Sequence, residues 1–501
     1  MGHWLVLWYT GVISLVAVVT KAANEVIPEP DCDATVAVSV RYSSTSQRLY
    51  LEAIDTDERG GCVTLGQIFE ARGGKAPLYA VDPDTGERTT NATGTWLLTE
   101  SLYVEDGITL NVHGGSDGDT DELRLLSDDS TIINLRAHGG SLSFHDTKVF
   151  SWDEGANTYD KDIDDGRSYI SVVSEIITDE SETCIGRAQK VMGEARMDIE
   201  NSEMGYLGYK ASEAYGLTWK VRGFCQNKSN PEVFDVVNVY GNIYDSDIHH
   251  NYFGVYTYAG HQQGDWRRNK MHDNIEYGFD PHDDSDYLNI HDNTVYDNGN
   301  HGIIASKRCN DVSIQDNTVY GGSNAGLFLH RSSDNAIVRG KSSFILRNHV
   351  YNNDDAGLAM LESFNADVSD NIFEDNLYGV RMSVGCANNV ISNNEIKGSG
   401  KYNAYTYQGT DEPDVAESGR PTNNTYIENV ITGGLETIKL KEADFMVFMD
   451  NDFDDATTIR FQDTSYTLLV GNTGLSSEDL ELKTNSSCFD PGSDSLFVPL
   501  C

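Results

Sequence analysis

Six glycines in the middle of the chain keep one register: Gly254, Gly278, Gly302, Gly326, Gly357 and Gly379, the first four spaced 24 residues apart. An asparagine register keeps the same beat at Asn269, Asn293, Asn317, Asn348, Asn371 and Asn394. Both stretch to 31 residues across one interval, which implies about seven inserted residues between Gly326 and Asn348, expected at the Gly-Lys-Ser-Ser-Phe-Ile-Leu segment that starts at Gly340. Two independent markers on one period mean a solenoid, and a period near 23 residues with strand-like alternation means an all-β parallel β-helix. In that fold, residues at one offset from each glycine stack in columns about 4.8 Å apart.

The offsets separate inward from outward positions. One residue after each glycine come Val255, Phe279, Ile303, Leu327, Leu358 and Val380, an apolar column that faces the core. The column three after, from Thr257 and Pro281 to Met360 and Met382, is also inward. Two after come Tyr256, Asp280, Ile304, Phe328, Ala359 and Arg381; four after come Tyr258, His282, Ser306, His330, Leu361 and Ser383. These last two columns face out. The asparagine register reads as a structural ladder of side-chain amides bonded between coils.

Around this repeat the organisation is simpler. Residues 1–23 read as a signal peptide, with an apolar stretch from Trp4 to Thr20 and small residues at Ala22 and Ala23; no Lys or Arg precedes the stretch, and an uncleaved membrane anchor is the alternative. Residues 24–93 form a non-repetitive N-terminal region, 94–474 the β-helix, and 475–501 a tail expected to be clipped by Cys488 and Cys501. A polar insertion at 401–424 is expected to form a lid or flanking loop. Eight cysteines in an exported chain suggest disulfides, although Cys309 and Cys386 fit equally as buried thiols within coils. Sequons at Asn91, Asn227, Asn423 and Asn485 agree with secretion to the extracellular space or cell wall. The net charge of −43 excludes a nucleic-acid binder that works by neutralising phosphates. Past the signal no apolar run is long enough to span a bilayer, and a secreted monomer is expected.

The outward columns gather unusual chemistry on consecutive coils. Tyr277, Asp280, His282 and Asp283 fall on one coil, Ser306, Lys307 and Arg308 on the next, and His330 and Arg331 on the one after. Tyr256 and Tyr258 precede them, and Lys220 falls in the His282 column. Two adjacent cations beside a histidine and a tyrosine can hold a carboxylate while protons move nearby. Singly each residue has a bland reading: Tyr277 as a packing residue, His282 as an exposed histidine bonded to an acid, Lys307 and Arg331 as surface ion pairs. The Asp283–Asp286 run offers the oxygen ligands calcium takes but no loop spacing for it. No His/Cys cluster has zinc spacing. No cofactor is required on this reading, and calcium stays open without a motif to hold it.

The segments Tyr277–Asp283, His301–Asp311 and Ala325–Ala336, in that order and spacing, resemble the mannuronan C-5-epimerases, with similarity extending over roughly 94–474. The resemblance implies a right-handed parallel β-helix acting on polymeric mannuronate, a polyanionic polysaccharide, and inverting C-5 to give guluronate. It implies His282 and Tyr277 as the proton-moving pair, Asp280 as the motif aspartate, and Lys307 and Arg331 as the basic positions that neutralise the uronate carboxylate. Lys307 stands where bacterial periplasmic members carry arginine, which keeps the charge and loses a bidentate fork. Lys220, Tyr256, Tyr258, Ser306, Arg308 and His330 are expected to line neighbouring sugar subsites. Which of His282 and Tyr277 is base and which acid stays open at this level. A lyase, which forms the same carbanionic intermediate but expels the 4-O substituent, stays open too, as does a non-catalytic polysaccharide-binding solenoid.

Overall fold

The computed structural model describes residues 32, 36–54, 60–178, 188–190, 193–222, 237–259, 264–332, 343–453, 458–483 and 488–489. Each central coil is three short strands joined by tight turns. Phe279–His282, Asn289–His291 and Thr294–Tyr296 pair in parallel with Ile303–Ser306, Ser313–Gln315 and Thr318–Tyr320 of the next coil. Repetition of this pairing builds three long sheets around one apolar interior. The sheet that contains His282 is called the groove sheet below. In the three-residue strands only the central residue is buried, as at Ile290, Ile314 and Ile345 or Val295, Val319 and Val350. A strand that alternates inward and outward, repeated in register, makes each core position a column of branched side chains.

Both sequence registers have a physical cause. A Cβ on Gly278 would sit 2.5 Å from the carbonyl oxygen of Gly302, and one on Gly302 would sit 2.7 Å from that of Gly326. The coils therefore approach too closely at this corner for any side chain. The asparagines form the expected ladder: Nδ2 of Asn293 donates to Oδ1 of Asn317 at 2.9 Å, and that of Asn317 to Asn348 at 3.0 Å. Each amide also donates to a carbonyl of the preceding coil and accepts the backbone N–H of its neighbour in the ladder, as Asn317 does with Ile290 and Asn293. The residue before most ladder asparagines is left-handed, as at Asp292, Asp316 and Asp370, with φ of 55°, 55° and 57°. Aspartate tolerates that region, which explains the recurrent Asp-Asn pair.

The stack extends beyond the recognisable repeat at both ends. Arg48–Ala53 pairs in parallel with Ser101–Val104, and Gly61–Thr64 with Ile108–His113, so the N-terminal region already belongs to the solenoid. The helix Leu65–Arg72, started by a capping box at Thr64, turns Leu65, Ile68 and Phe69 onto the end of the core. At the other end Leu480–Lys483 continues the groove sheet past residue 474. Phe344–Leu346 sits in regular register with Ser313–Gln315, so the inserted residues lie between Ser332 and Ser343 and only the first residues of the expected segment, from Gly340, belong to them.

Cys32 and Cys62 form a disulfide, and Cys309 and Cys386 are buried free thiols. The signal segment, Cys184, Cys225, the Cys488–Cys501 clip and the sequons at Asn227 and Asn485 lie outside the described residues or side chains; Asn91 and Asn423 are exposed. Among the described residues no helix is long and apolar enough to cross a membrane.

The ladder carries measurable stability. Replacing Asn317 by Ala leaves the amide partners Asn293 and Asn348 and the carbonyl of Ile290 without their buried bonds. The expected loss is about 3 kcal/mol, read as a lower urea midpoint at unchanged m-value.

Candidate functional site

The groove sheet brings the expected residues into one row. Lys220 aligns with Tyr258, Tyr258 with His282, His282 with Ser306, and Ser306 with His330. Tyr256 aligns with Asp280 in the neighbouring row. The strand then ends in a stacked left-handed turn: Asp283, Lys307, Arg331 and Glu362 have φ of 44°, 55°, 52° and 44°. Charged residues in this region cost of order 1–3 kcal/mol each and persist where the surroundings over-determine them. Here the surroundings are the coils above and below.

Asp280 is the centre of the arrangement. Its side chain is 2% exposed, and Oδ1 is buried without a hydrogen-bond partner. Burial pushes its carboxyl up to about 7; the charges of His282 and Lys307 pull it down, and Asp283 pushes it further up. The Asp280 charge in turn adds to the burial that raises the phenols of Tyr215, Tyr256 and Tyr277. Tyr277 reaches about 12 and stays protonated at neutral pH. The His282 ring lies 5.7 Å from that of Tyr256 and stacks at 6.3 Å on Tyr258. Its Nδ1 is 2.7 Å from Oδ2 of Asp283, at an angle too poor for a hydrogen bond. Asp283, rather than Asp280, is therefore the acid seated against the His282 ring.

The cations divide into one without an acidic partner and several that are committed. Among the described residues no carboxylate pairs with Lys307, although its charge reaches both Asp280 and His330. Arg308, expected at a sugar subsite, instead grips the acids beneath it, with Nη2 at 2.5 Å from Asp283 and 3.0 Å from Asp284. Lys220 pairs with Glu213 at 2.8 Å and lies 4.9 Å over the Tyr258 ring. Arg331 turns to the loop that follows the groove-sheet strand Tyr402–Tyr407, a shorter insertion than the expected 401–424: Nη1 meets Asp414 at 2.9 Å and Nη2 donates to the Glu412 carbonyl at 2.8 Å. Glu362, fully buried beside it, accepts the backbone N–H groups of Asp414, Val415 and Ala416 at 2.8, 2.6 and 2.9 Å. The insertion is thus latched against the edge of the site. Its Asp411 is near enough to oppose the burial and cationic neighbours that lower His330 to about 4. Ser306 Oγ holds His330 Nδ1 at 2.9 Å.

Two residues of the site escaped the sequence reading. His301 stacks on Tyr277 at 5.6 Å, and burial lowers it to about 3. Its Nδ1 accepts the N–H of Ala325, so the neutral ring carries its proton on Nε2. Tyr215 packs 4.9 Å from Tyr256 on the upstream side. Both directly precede a glycine corner, Gly302 and Gly216, the offset that also holds Tyr277. That shared offset was the available signal.

Three parallel sheets stacked coil on coil, one of them carrying an acid, a histidine, tyrosines and cations on its outward face, make the chain a right-handed parallel β-helix. A family described as right handed beta helix region matches residues 225–342 and 336–418. The chain is similar to mannuronan C5-epimerases: 28% identical over 240 residues to that of Pseudomonas aeruginosa, and 30% over 183 residues to that of Pseudomonas fluorescens. These alignments cover 47% and 36% of this chain and span 36% and 29% of the lengths of the two relatives. The crystal structure of the periplasmic alginate epimerase AlgG superposes with a TM-score of 0.60 at 19% identity, over 84% of this chain and 85% of that one.

Two outcomes check the site's energetics. A carboxyl whose folded value lies above its ordinary one stabilises the fold in its neutral form, and that contribution is lost as pH rises through about 7. Asp280→Asn is therefore expected to melt above the wild type at about pH 8, with the gap closing toward about pH 4, in thermal scans across that range. Glu362→Ala is expected to raise hydrogen exchange at Asp414, Val415 and Ala416 by about tenfold or more, as the loop loses three charge-assisted bonds.

Proposed function

We propose that the protein is a mannuronan C5-epimerase, converting mannuronate to guluronate within the polymer. The observation that carries this reading is the conjunction of His282, Tyr277 and a buried Asp280 with Lys307, a cation that forms no ion pair with a carboxylate among the described residues. Removing H-5 from a uronate places a second negative charge beside an existing carboxylate, so the reaction needs a cation at that point. Lys307 supplies it. His282, its Nδ1 turned to Asp283, takes H-5 through Nε2. Tyr277, kept protonated by burial and by the Asp280 charge, returns a proton to the opposite face. The protonated phenol supports the reading of Tyr277 as acid and His282 as base. Asp280 is poised near neutrality beside both groups and balances their charge as the proton moves. Tyr256, Tyr258 and His330 extend the row and are suited to sugar rings on either side. Export from the cytoplasm is part of this reading, supported by the Cys32–Cys62 disulfide and the apolar stretch from Trp4 to Thr20.

Polymannuronate incubated with the protein in deuterated water is expected to give guluronate signals with deuterium at C-5 by proton NMR. Unsaturated chain ends would instead assign elimination, and unchanged polymer would reduce the molecule to a binding solenoid. His282→Ala should abolish turnover. Lys307→Ala is expected to lower kcat by about 100-fold or more, and Arg331→Ala by less than about tenfold, because Arg331 is committed to the loop. Equal losses at the two positions would make Arg331 a second carboxylate clamp.

A further inference from the structure

Upstream of the catalytic row, the outward face of the groove sheet holds a cavity of about 430 Å³ lined by Arg48, Tyr103, Arg136, Tyr169, Tyr209 and Glu213. It is continuous with the catalytic centre in register: Tyr103 aligns with Arg136, Arg136 with Ser171, Ser171 with Thr218, Thr218 with Tyr256, and Tyr256 with Asp280. Five strand spacings, about 24 Å, therefore separate Tyr103 from Asp280 along one row. Ser171 and Thr218 in between are fully buried, and none of the residues that line the cavity belongs to the catalytic row.

Its chemistry is that of an acidic sugar site. Arg48 lies 4.8 Å and Arg136 5.8 Å over the Tyr103 ring. Among the described residues no carboxylate pairs with Arg48. Arg136 is 9% exposed and held by Ser171 at 3.0 Å, so its guanidinium is fixed in place. Glu213, the one acid in the lining, is already shared by Lys220, Arg222 and Arg136. The next acids, Glu105 and Glu175, face His138. In a chain of net charge −43, four cations around one carboxylate are a local reversal of sign. Two guanidinium groups suit a carboxylate, the Tyr103 ring against which they lie holds them in place, and the hydroxyls of Tyr169 and Tyr209 suit the hydroxyl groups of a sugar.

We propose that this cavity is a remote subsite for a uronate unit, gripping the same polymer whose reacting unit lies at His282. The inference rests on the epimerase reading and adds to it a device for holding long chains. Its prediction is a length dependence, because a trimer bound at His282 cannot reach Tyr103. Isothermal titration with polymannuronate and with mannuronate trimer would compare wild type, Arg48→Gln and Tyr103→Leu, each confirmed folded by an unchanged melting temperature. Both variants are expected to bind the long polymer about tenfold more weakly and the trimer as the wild type does. Long-chain affinity unchanged in both variants, or equal losses for trimer and polymer, would overturn the remote subsite while leaving C-5 deuteration intact. Failure of the wild type to bind polymannuronate would sink the subsite and the epimerase reading together.

Discussion

Parallel hydrogen bonding between successive coils, kept in register over the length of the molecule, is the interaction on which everything else rests. It lets a short strand with one buried residue contribute to a continuous core, although no single coil could bury enough surface alone. Backbone pairing alone tolerates slippage. The asparagine ladder and the glycine corner remove that freedom, since a shifted coil would lose buried amide partners or drive a side chain into a carbonyl. Register then becomes a positional code for the outer face. Tyr256, Asp280 and the row through Tyr258, His282, Ser306 and His330 owe their alignment to it.

The same stacking holds functional residues in unfavourable states. Asp280 is sealed among tyrosines with one oxygen unsatisfied, and the neighbouring column of charged residues turns through left-handed backbone. Such features persist because the coils on both sides fix them, and they fall where proton transfer and charge recognition are proposed. The acidity of the whole chain is no obstacle to a polyanion at this face. Cations are concentrated along the groove sheet, and distant acids are screened within about 10 Å at ordinary salt.

Much of this was legible in the sequence because the period itself assigns residues to columns. The inward and outward offsets, the ladder, and the row that joins Lys220 to His330 all follow from counting along two registers. What counting could not reach were the partners of the long cations. Arg331 is held by the Glu412 carbonyl and the Asp414 and Glu362 carboxylates, and Lys220 by Glu213; most of these partners lie on loops that carry no period. Arg308 was misread for a related reason: its side chain folds back onto Asp283 and Asp284 of the preceding coil. The first coils, around Arg48 and Gly61, lack the glycine and asparagine marks, so the solenoid begins earlier than its repeat announces.

The corners of the coil behave differently from its walls. The interval between Ser332 and Ser343 is lengthened, yet Phe344–Leu346 resumes pairing as though nothing intervened. Likewise Tyr402–Tyr407 and Thr425–Ile427 keep their places in their sheets, so the insertion expected over 401–424 begins only after Tyr407 and leaves the coil intact on both sides. A corner is thus a place where evolution can splice in new segments of any size without recalibrating the chemistry on the neighbouring wall. Divergence among such proteins in chain-length preference or product pattern should therefore be sought in their corner segments, with the reactive row itself left almost untouched.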